Sequence, residues 1–225
     1  MERVLDDKEY FERSHRGDFE ARYPYFSAIA AALIERFHPR VVLDIGCAGG
    51  DFIYAFREQG IAAYGIDPSE YGLRHSVKAA QGYLCQAVAE ALPFGQDSFD
   101  LVTAYHVVEH LQNPNYFIGE ARRILKPGGI LFITTTIAPL GVVRPWQILR
   151  MQRDTTHVSL YSKSYWVRTF EARGFRLVGD LQKLVVKDPP SFWGGQTLLK
   201  FGTVGRWLES KLAGYIRESF LFELR

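Results

Sequence analysis

Hydrophobic positions along this chain follow two rhythms. Short strand-like runs at residues 41–45, 62–67, 82–87, 99–105 and 130–136, the last continuously apolar or β-branched, alternate with stretches whose apolar residues recur at helical spacing. A strand that is apolar on both faces belongs in a sheet covered on both sides. The helical stretches fall at 25–37, 51–60, 70–80 and 115–125. His38-Pro39 stops the first, Gly60 marks the end of the second and Lys126-Pro-Gly-Gly129 follows the fourth. Leu92-Pro-Phe-Gly-Gln-Asp97 reads as a turn. Strand and helix in alternation predict an α/β fold, a parallel sheet between layers of helices.

After residue 137 the alternation lapses. The pattern predicts an irregular insertion over 138–160 around Trp146, a helix over 162–173 and a long strand over 175–187. A second insertion at 188–214 contains an amphipathic helix over 196–212, and a strand returns over 215–225. Such a returning strand suits an antiparallel edge on a mixed sheet. Residues 1–20 are polar and charged with scattered aromatics, and neither a repeat nor a linker divides the chain. One domain over 1–225 is expected, with 1–24 as a lid segment and the two insertions on the substrate side.

Composition narrows the class without naming a partner. The 225 residues are 47% hydrophobic and 23% charged, enough to bury a sizeable core, and a formal net charge of +2 lacks the basic footprint of a nucleic-acid binder. Cys47 and Cys85 show none of the spacings of zinc sites or disulfide frameworks. No apolar run reaches membrane-spanning length and the N-terminus has no signal-peptide pattern, so a cytoplasmic enzyme is expected.

The first strand and its loop carry the chemistry. Val42-Leu-Asp-Ile-Gly-Cys-Ala-Gly-Gly50 runs from a strand into small residues, and a helix starts at Asp51. Such a loop lets a ligand lie on bare backbone while the helix N-terminus points at the same spot. Asp44 would repel a pyrophosphate but suits a ligand with an ammonium group, and the loop does not spell the G-x-G-x-x-G of dinucleotide folds. Asp67, just after the second strand, can accept from ribose hydroxyls; Asp67 or Ser69 can also serve as a helix cap.

Further segments extend this pattern: Tyr64-Gly-Ile-Asp-Pro-Ser69, Ala89-Glu-Ala-Leu-Pro-Phe94, Ser98-Phe-Asp-Leu-Val-Thr-Ala-Tyr-His-Val-Val-Glu-His-Leu111, Arg123-Ile-Leu-Lys-Pro-Gly-Gly129 and Thr156-His-Val-Ser-Leu-Tyr-Ser162. Together and in this order they resemble class I S-adenosylmethionine-dependent methyltransferases, in the small-molecule branch that includes ubiquinone-type O-methyltransferases. The resemblance spans about residues 25–180. It implies a Rossmann-like, seven-stranded, mostly parallel sheet with an antiparallel edge strand and helices on both faces. It also implies S-adenosyl-L-methionine as cofactor and S-adenosyl-L-homocysteine as product. On this chain the implied cofactor site comprises Asp44, Gly46, Cys47, Ala48, Gly50, Asp67, Pro68, Val88, Ala89, Glu90 and Tyr105. The chain departs from the family at two places. Ala48 replaces the middle glycine of D-x-G-x-G-x-G, a change tolerated if its methyl points away from the ligand. Val88 stands where relatives commonly place an aspartate that reads the adenine amino group, which leaves apolar contact and backbone groups at 88–90 to hold the base.

Methyl transfer from a sulfonium needs an aligned acceptor and a route for its proton. His106 is the expected general base or acceptor-orienting group, because an imidazole titrates near working pH; a pocket-wall histidine is the competing reading. The resemblance puts His110, His157 and Tyr161 near the acceptor. His106-Val-Val-Glu-His110 also spells an inverted zinc-hydrolase motif with Glu109 as base. His106 directly follows a strand, however, and Leu111-Gln-Asn-Pro114 ends any helix within a turn, so no metal is expected. Thr103-Ala-Tyr-His106 stands where enzymes that methylate base amino groups carry an Asp/Asn/Ser-Pro-Pro-aromatic loop, and Asp188-Pro-Pro-Ser191 follows a later strand and lacks the aromatic. A small-molecule acceptor is therefore favoured over nucleic acid, with a hydroxyl oxygen ahead of an amine or carboxylate. Tyr10, Phe11, Tyr23 and Tyr25 suit either an aromatic lid or ordinary helix packing. Trp207 among Lys200, Arg206 and Lys211 suits a helix covering the sheet edge or, less commonly, one resting on a membrane surface. A cofactor-binding module without turnover is the alternative from another functional class.

Overall fold

The computed structural model describes residues 8–9, 11, 19–137, 156–180 and 216–225. Tyr10, most of the 138–160 insertion, the far end of the 175–187 strand and the whole 188–214 segment with its amphipathic helix lie outside the described residues. In chain order the elements are α1 (Phe19–Phe37), β1 (Val41–Ile45), α2 (Asp51–Glu58), β2 (Ala62–Asp67), α3 (Glu70–Arg74), β3 (Leu84–Gln86) and β4 (Phe99–Tyr105). They continue with α4 (Pro114–Ile124), β5 (Leu125–Ile137), α5 (Lys163–Glu171), β6 (Phe175–Gly179) and β7 (Ile216–Leu224). Single 3-10 turns stand at Lys78–Ala80 and Val108–His110.

The strands form one seven-stranded sheet in the order β3-β2-β1-β4-β5-β7-β6. β1 to β5 pair in parallel, and β7 runs antiparallel to both of its neighbours. The antiparallel strand of the sequence reading is thus β7, entering at this end of the sheet between β5 and the outermost β6. The chain steps outward from β1 to β3 and then returns to the other side of β1 as β4. Such a reversal, at the carboxyl ends of β1 and β4, is where open α/β sheets bind ligands.

Alternate residues along the strands serve opposite faces. Val42, Leu101, Phe132 and Leu221 pack against Ile29 and Leu33 of α1 and Phe52 and Phe56 of α2. Leu43, Val102, Leu131 and Ile133 pack against Phe117 and Ile118 of α4 and Trp166 and Phe170 of α5. Phe170 stacks on Phe222 at 4.6 Å, which fastens α5 to β7. Burying a phenylalanine of this kind contributes about 2–3 kcal/mol of transfer free energy.

Three boundaries differ from the sequence reading, each for a tertiary reason. α1 starts at Phe19 and runs through Pro24. Arg22 Nε lies 2.5 Å from Asp51 Oδ2 with Nη2 3.2 Å from Oδ1, while Phe19 and Tyr23 pack on Tyr54. These contacts offset the backbone N–H that proline lacks. α3 ends at Arg74 because the Val77 N–H donates to the Gly49 carbonyl at 2.9 Å, which draws the chain out of the helix and into the loop. β5 begins at Leu125, since Lys126-Pro-Gly-Gly129 continues the strand across a register shift against β4. Among the described residues no helix is long and apolar enough to cross a membrane.

Candidate functional site

The loop after β1 is built on left-handed backbone at Gly46 (φ 73°), Ala48 (φ 47°) and Gly50 (φ 80°). A β-carbon at Gly46 would lie 2.5 Å from Val107 Cγ2, and one at Gly50 would lie 2.7 Å from the Ala80 methyl, so both positions demand glycine. Ala48 adopts the same conformation with its methyl in place, at a cost of about 1 kcal/mol. Asp67 holds it there. Asp67 Oδ2 accepts the Ala48 N–H at 2.8 Å and Oδ1 accepts the Ser69 N–H at 2.8 Å, while Ser69 Oγ caps α3 by accepting from Gly72. The Gly46 and Cys47 N–H groups both donate to the Ile66 carbonyl, which ties the loop to β2. The Cys47 side chain points into the core, where a β-carbon on Gly65 would meet its sulfur at 2.7 Å. Burial, with the nearby charges of Asp44 and Asp67, holds that thiol well above its ordinary range. Cys47 therefore offers the site its backbone, and its sulfur is unreactive.

Asp44 is buried at the end of β1 and faces Thr103, its register partner on β4. The Thr103 hydroxyl donates to Asp44 Oδ1 at 2.6 Å. Burial, reinforced by the charges of Asp67 and Asp51, outweighs that hydrogen bond and pushes the Asp44 carboxyl up to about 7. A carboxyl held so far from its ordinary range gains most when a cation arrives beside it. The small-residue loop and this acid fit a ligand that carries an ammonium group.

On the neighbouring strand, His106 directly follows β4 in left-handed backbone (φ 55°). Its N–H donates to the Thr134 carbonyl at 3.0 Å and lies 3.1 Å from Thr134 Oγ1. Its Nδ1 lies 2.8 Å from Glu109 Oε1, and the Tyr105 ring meets the imidazole edge-on at 4.9 Å. Glu109 is fully buried and also accepts from the Thr135 hydroxyl at 2.9 Å and the Thr136 N–H at 3.2 Å. Burial alone would raise its pKa; the hydrogen bond and charge of His106, a backbone hydrogen bond and His110 win, holding it at about 2. His110 Nδ1 reaches Thr156 Oγ1 at 2.9 Å and the Thr156 carbonyl at 3.2 Å, and the His157 ring lies 4.8 Å from that of His110. Ligand-type atoms of Glu109, His110 and His157 all lie within 4.8 Å of one another. Protein donors already engage both Glu109 oxygens, and we assign no cation to the group. The H-x-x-E-H segment itself spans a strand end and one 3-10 turn rather than the α-helix that a zinc-hydrolase face requires.

The remaining expected site residues are placed less centrally. Pro68 is exposed, and its carbonyl accepts from Gln86 Nε2 at 2.9 Å, linking the ends of β2 and β3. Val88 is 48% exposed while Ala89 is buried and Glu90 half-buried, so the segment presents one apolar face outward. Tyr161 stacks on Tyr165 at 4.0 Å and packs on Trp166, on the α5 side of the sheet. Of the candidate lid aromatics, Phe11 packs edge-on to Tyr71 and lies 3.8 Å from where a β-carbon on Gly49 would stand. The Tyr105 hydroxyl donates to that of Tyr25 at 3.0 Å, whereas Tyr23 packs between Phe19 and Tyr54 on α2. Sequence reasoning missed Thr103 and the pairing of Glu109 with His106. The available signals were a threonine in an otherwise apolar strand and a glutamate three residues past a strand-ending histidine.

The family model for a methyltransferase domain matches residues 18–179. Ubiquinone biosynthesis O-methyltransferases from Caulobacter vibrioides and Idiomarina loihiensis are each 33% identical, over 105 and 127 residues. These alignments cover 44% and 52% of this chain and 42% and 52% of those proteins, so the chain spans about half the length of the curated relatives it matches. Among solved structures, a Galdieria sulphuraria protein assigned as a sarcosine dimethylglycine methyltransferase superposes with a TM-score of 0.70 at 17% identity, covering 96% of this chain and 97% of that one. Geranyl diphosphate methyltransferase in complex with S-adenosylmethionine gives 0.69 at 16% identity, covering 96% and 95%. Likeness at such identity establishes the Rossmann-like fold. With the family model covering most of its length, the chain belongs to the methyltransferase domain family.

Proposed function

We propose that this chain transfers a methyl group from S-adenosylmethionine to a small-molecule acceptor, with a hydroxyl oxygen as the receiving atom. The observation that carries the reading is the buried Asp44 carboxyl beside a left-handed small-residue loop, at the point where the strand order reverses. When bound, the cofactor supplies an already activated methyl carbon. Asp44 would hold its ammonium group. Asp67, at the carboxyl end of β2 beside the small-residue loop, would accept from the ribose. Pro68, Val88, Ala89 and Glu90 would form an apolar and backbone seat for the adenine, and Phe11, Tyr25 and Tyr105 an aromatic cover. His106 would take the acceptor's proton, with His110 and His157 beside it and Tyr161 supporting that wall from α5.

An oxygen acceptor is supported by two arguments. A hydroxyl is a poor nucleophile until its proton is removed, so it needs a base in place, whereas a neutral amine attacks with its own lone pair. The O-methyltransferase relatives point the same way. The test starts with calorimetry using S-adenosylmethionine and S-adenosylhomocysteine, followed by a product assay over fractionated metabolite extracts. Binding with no methylated product from any fraction would favour a silent module. Once an acceptor is found, H106N, chosen because asparagine tolerates left-handed backbone, should lower kcat by about 100-fold or more with cofactor affinity kept. Near-normal turnover would remove His106 from the chemistry.

A further inference from the structure

Neutral imidazole exists in two forms, and only the ring nitrogen without a proton can accept one. Which form His106 adopts is decided by what faces its Nδ1, and that is Glu109 Oε1 at 2.8 Å. Two other donors, the Thr135 hydroxyl and the Thr136 N–H, already point at the same carboxylate. A carboxylate surrounded by donors is an acceptor only, so the proton between the two side chains belongs to the imidazole. Glu109 is also fixed in place. The His110 N–H closes the turn onto the Val107 carbonyl, and the Glu109 carbonyl accepts from the Val158 and Ser159 N–H groups at 2.9 Å each.

We infer that Glu109 is a positioning residue: by accepting from Nδ1–H it selects the tautomer of His106 in which Nε2 carries the lone pair, making Nε2 the nitrogen that receives the acceptor's proton. The inference rests on the reading of His106 as the base and adds the residue that prepares it. One anchor thus sets the imidazole and holds segment 156–159 against the end of β4. Titratable groups that face the pair include Tyr105, His110 and His157.

Two-bond nitrogen–proton spectra of protein labelled at histidine nitrogens test the assignment without altering Glu109. Titrated until the ring is neutral, with H106N to identify the signals, His106 should show a protonated Nδ1 and a bare Nε2. The opposite pattern would overturn the inference whatever the turnover. E109Q supplies the kinetic arm, because it keeps an oxygen for Nδ1–H and removes the charge that stabilises the imidazolium. Its kcat should fall at least about tenfold with the Kd for S-adenosylmethionine within about twofold. The acid limb of its kcat profile should move to lower pH, since an imidazolium beside a neutral amide loses its proton more readily than one beside a carboxylate. An unmoved limb in folded E109Q would count against the inference. Failure of the base reading shows elsewhere, as retained turnover in H106N alongside an unchanged tautomer spectrum in the parent protein.

Discussion

At the proposed cofactor site, Asp44 is the residue through which pH would act. Its carboxyl titrates at about 7 in the folded chain, against an ordinary 3.8, chiefly because it is buried. An ammonium group requires the ionised form. Above about pH 7 the form is ready, and below it binding must expel a proton. S-adenosylmethionine affinity should therefore fall about tenfold per unit as pH drops below 7. Calorimetry over this range, repeated in buffers of different ionisation heat, should detect the released proton, and D44N should bind weakly and without this slope. A flat profile in the parent protein would refute the role. Asp44, Gly46 and Asp67 were legible in the sequence because loop spacing alone places them at a strand's carboxyl end. Thr103 and Glu109 were not, because each acts through a partner on another segment. The Ala48 methyl was read as tolerated, but its φ of 47° shows a residue held in a glycine conformation by Asp67.

At the scale of elements, the pairing of α1 with α2 has the clearest energetic signature. Arg22 and Asp51 bridge the two helices with side chains only 13% and 7% exposed. Asp51 opens α2, the helix that follows the small-residue loop, so the bridge also steadies that loop. R22M keeps the aliphatic stem but leaves Asp51 buried without its cation, and should cost about 3 kcal/mol in urea unfolding. D51N in the same background should recover part of that loss; two additive losses would show that the bridge carries no coupling. Helix existence was legible here and its start was not. Pro24 reads locally as a boundary, and only Phe19, Arg22 and Tyr23 meeting α2 explain why the helix continues through it. The shortened α3 teaches the same lesson, since the competing donor, the Val77 N–H, is claimed by a carbonyl in a loop of another βα unit.

For the molecule as a whole, two buried acids bend the pH–stability curve in opposite senses. Glu109 is depressed from 4.5 to about 2, so its contribution is full above pH 4.5 and is lost as pH falls towards 2. Asp44 is raised, so its contribution is full below 3.8 and is lost as pH rises through about 7. The ligand-free protein should lose stability from about pH 4.5 to 7, and D44N should abolish that decline in urea or thermal unfolding; a decline that persists in D44N would assign it to another group. The parallel half of the sheet was legible from strict alternation, because a right-handed crossover leaves each new strand few places to go. The position of β7 was not, since no local pattern says that the last strand pairs with both β5 and β6. That placement has a consequence for synthesis. Among the described residues β6 pairs with β7 alone, and β5 keeps an open apolar edge until β7 arrives. At ribosomal speed the interval is on the order of ten seconds, during which the nascent chain offers a ready template for a stray strand. Arrival of β7 closes both edges at once.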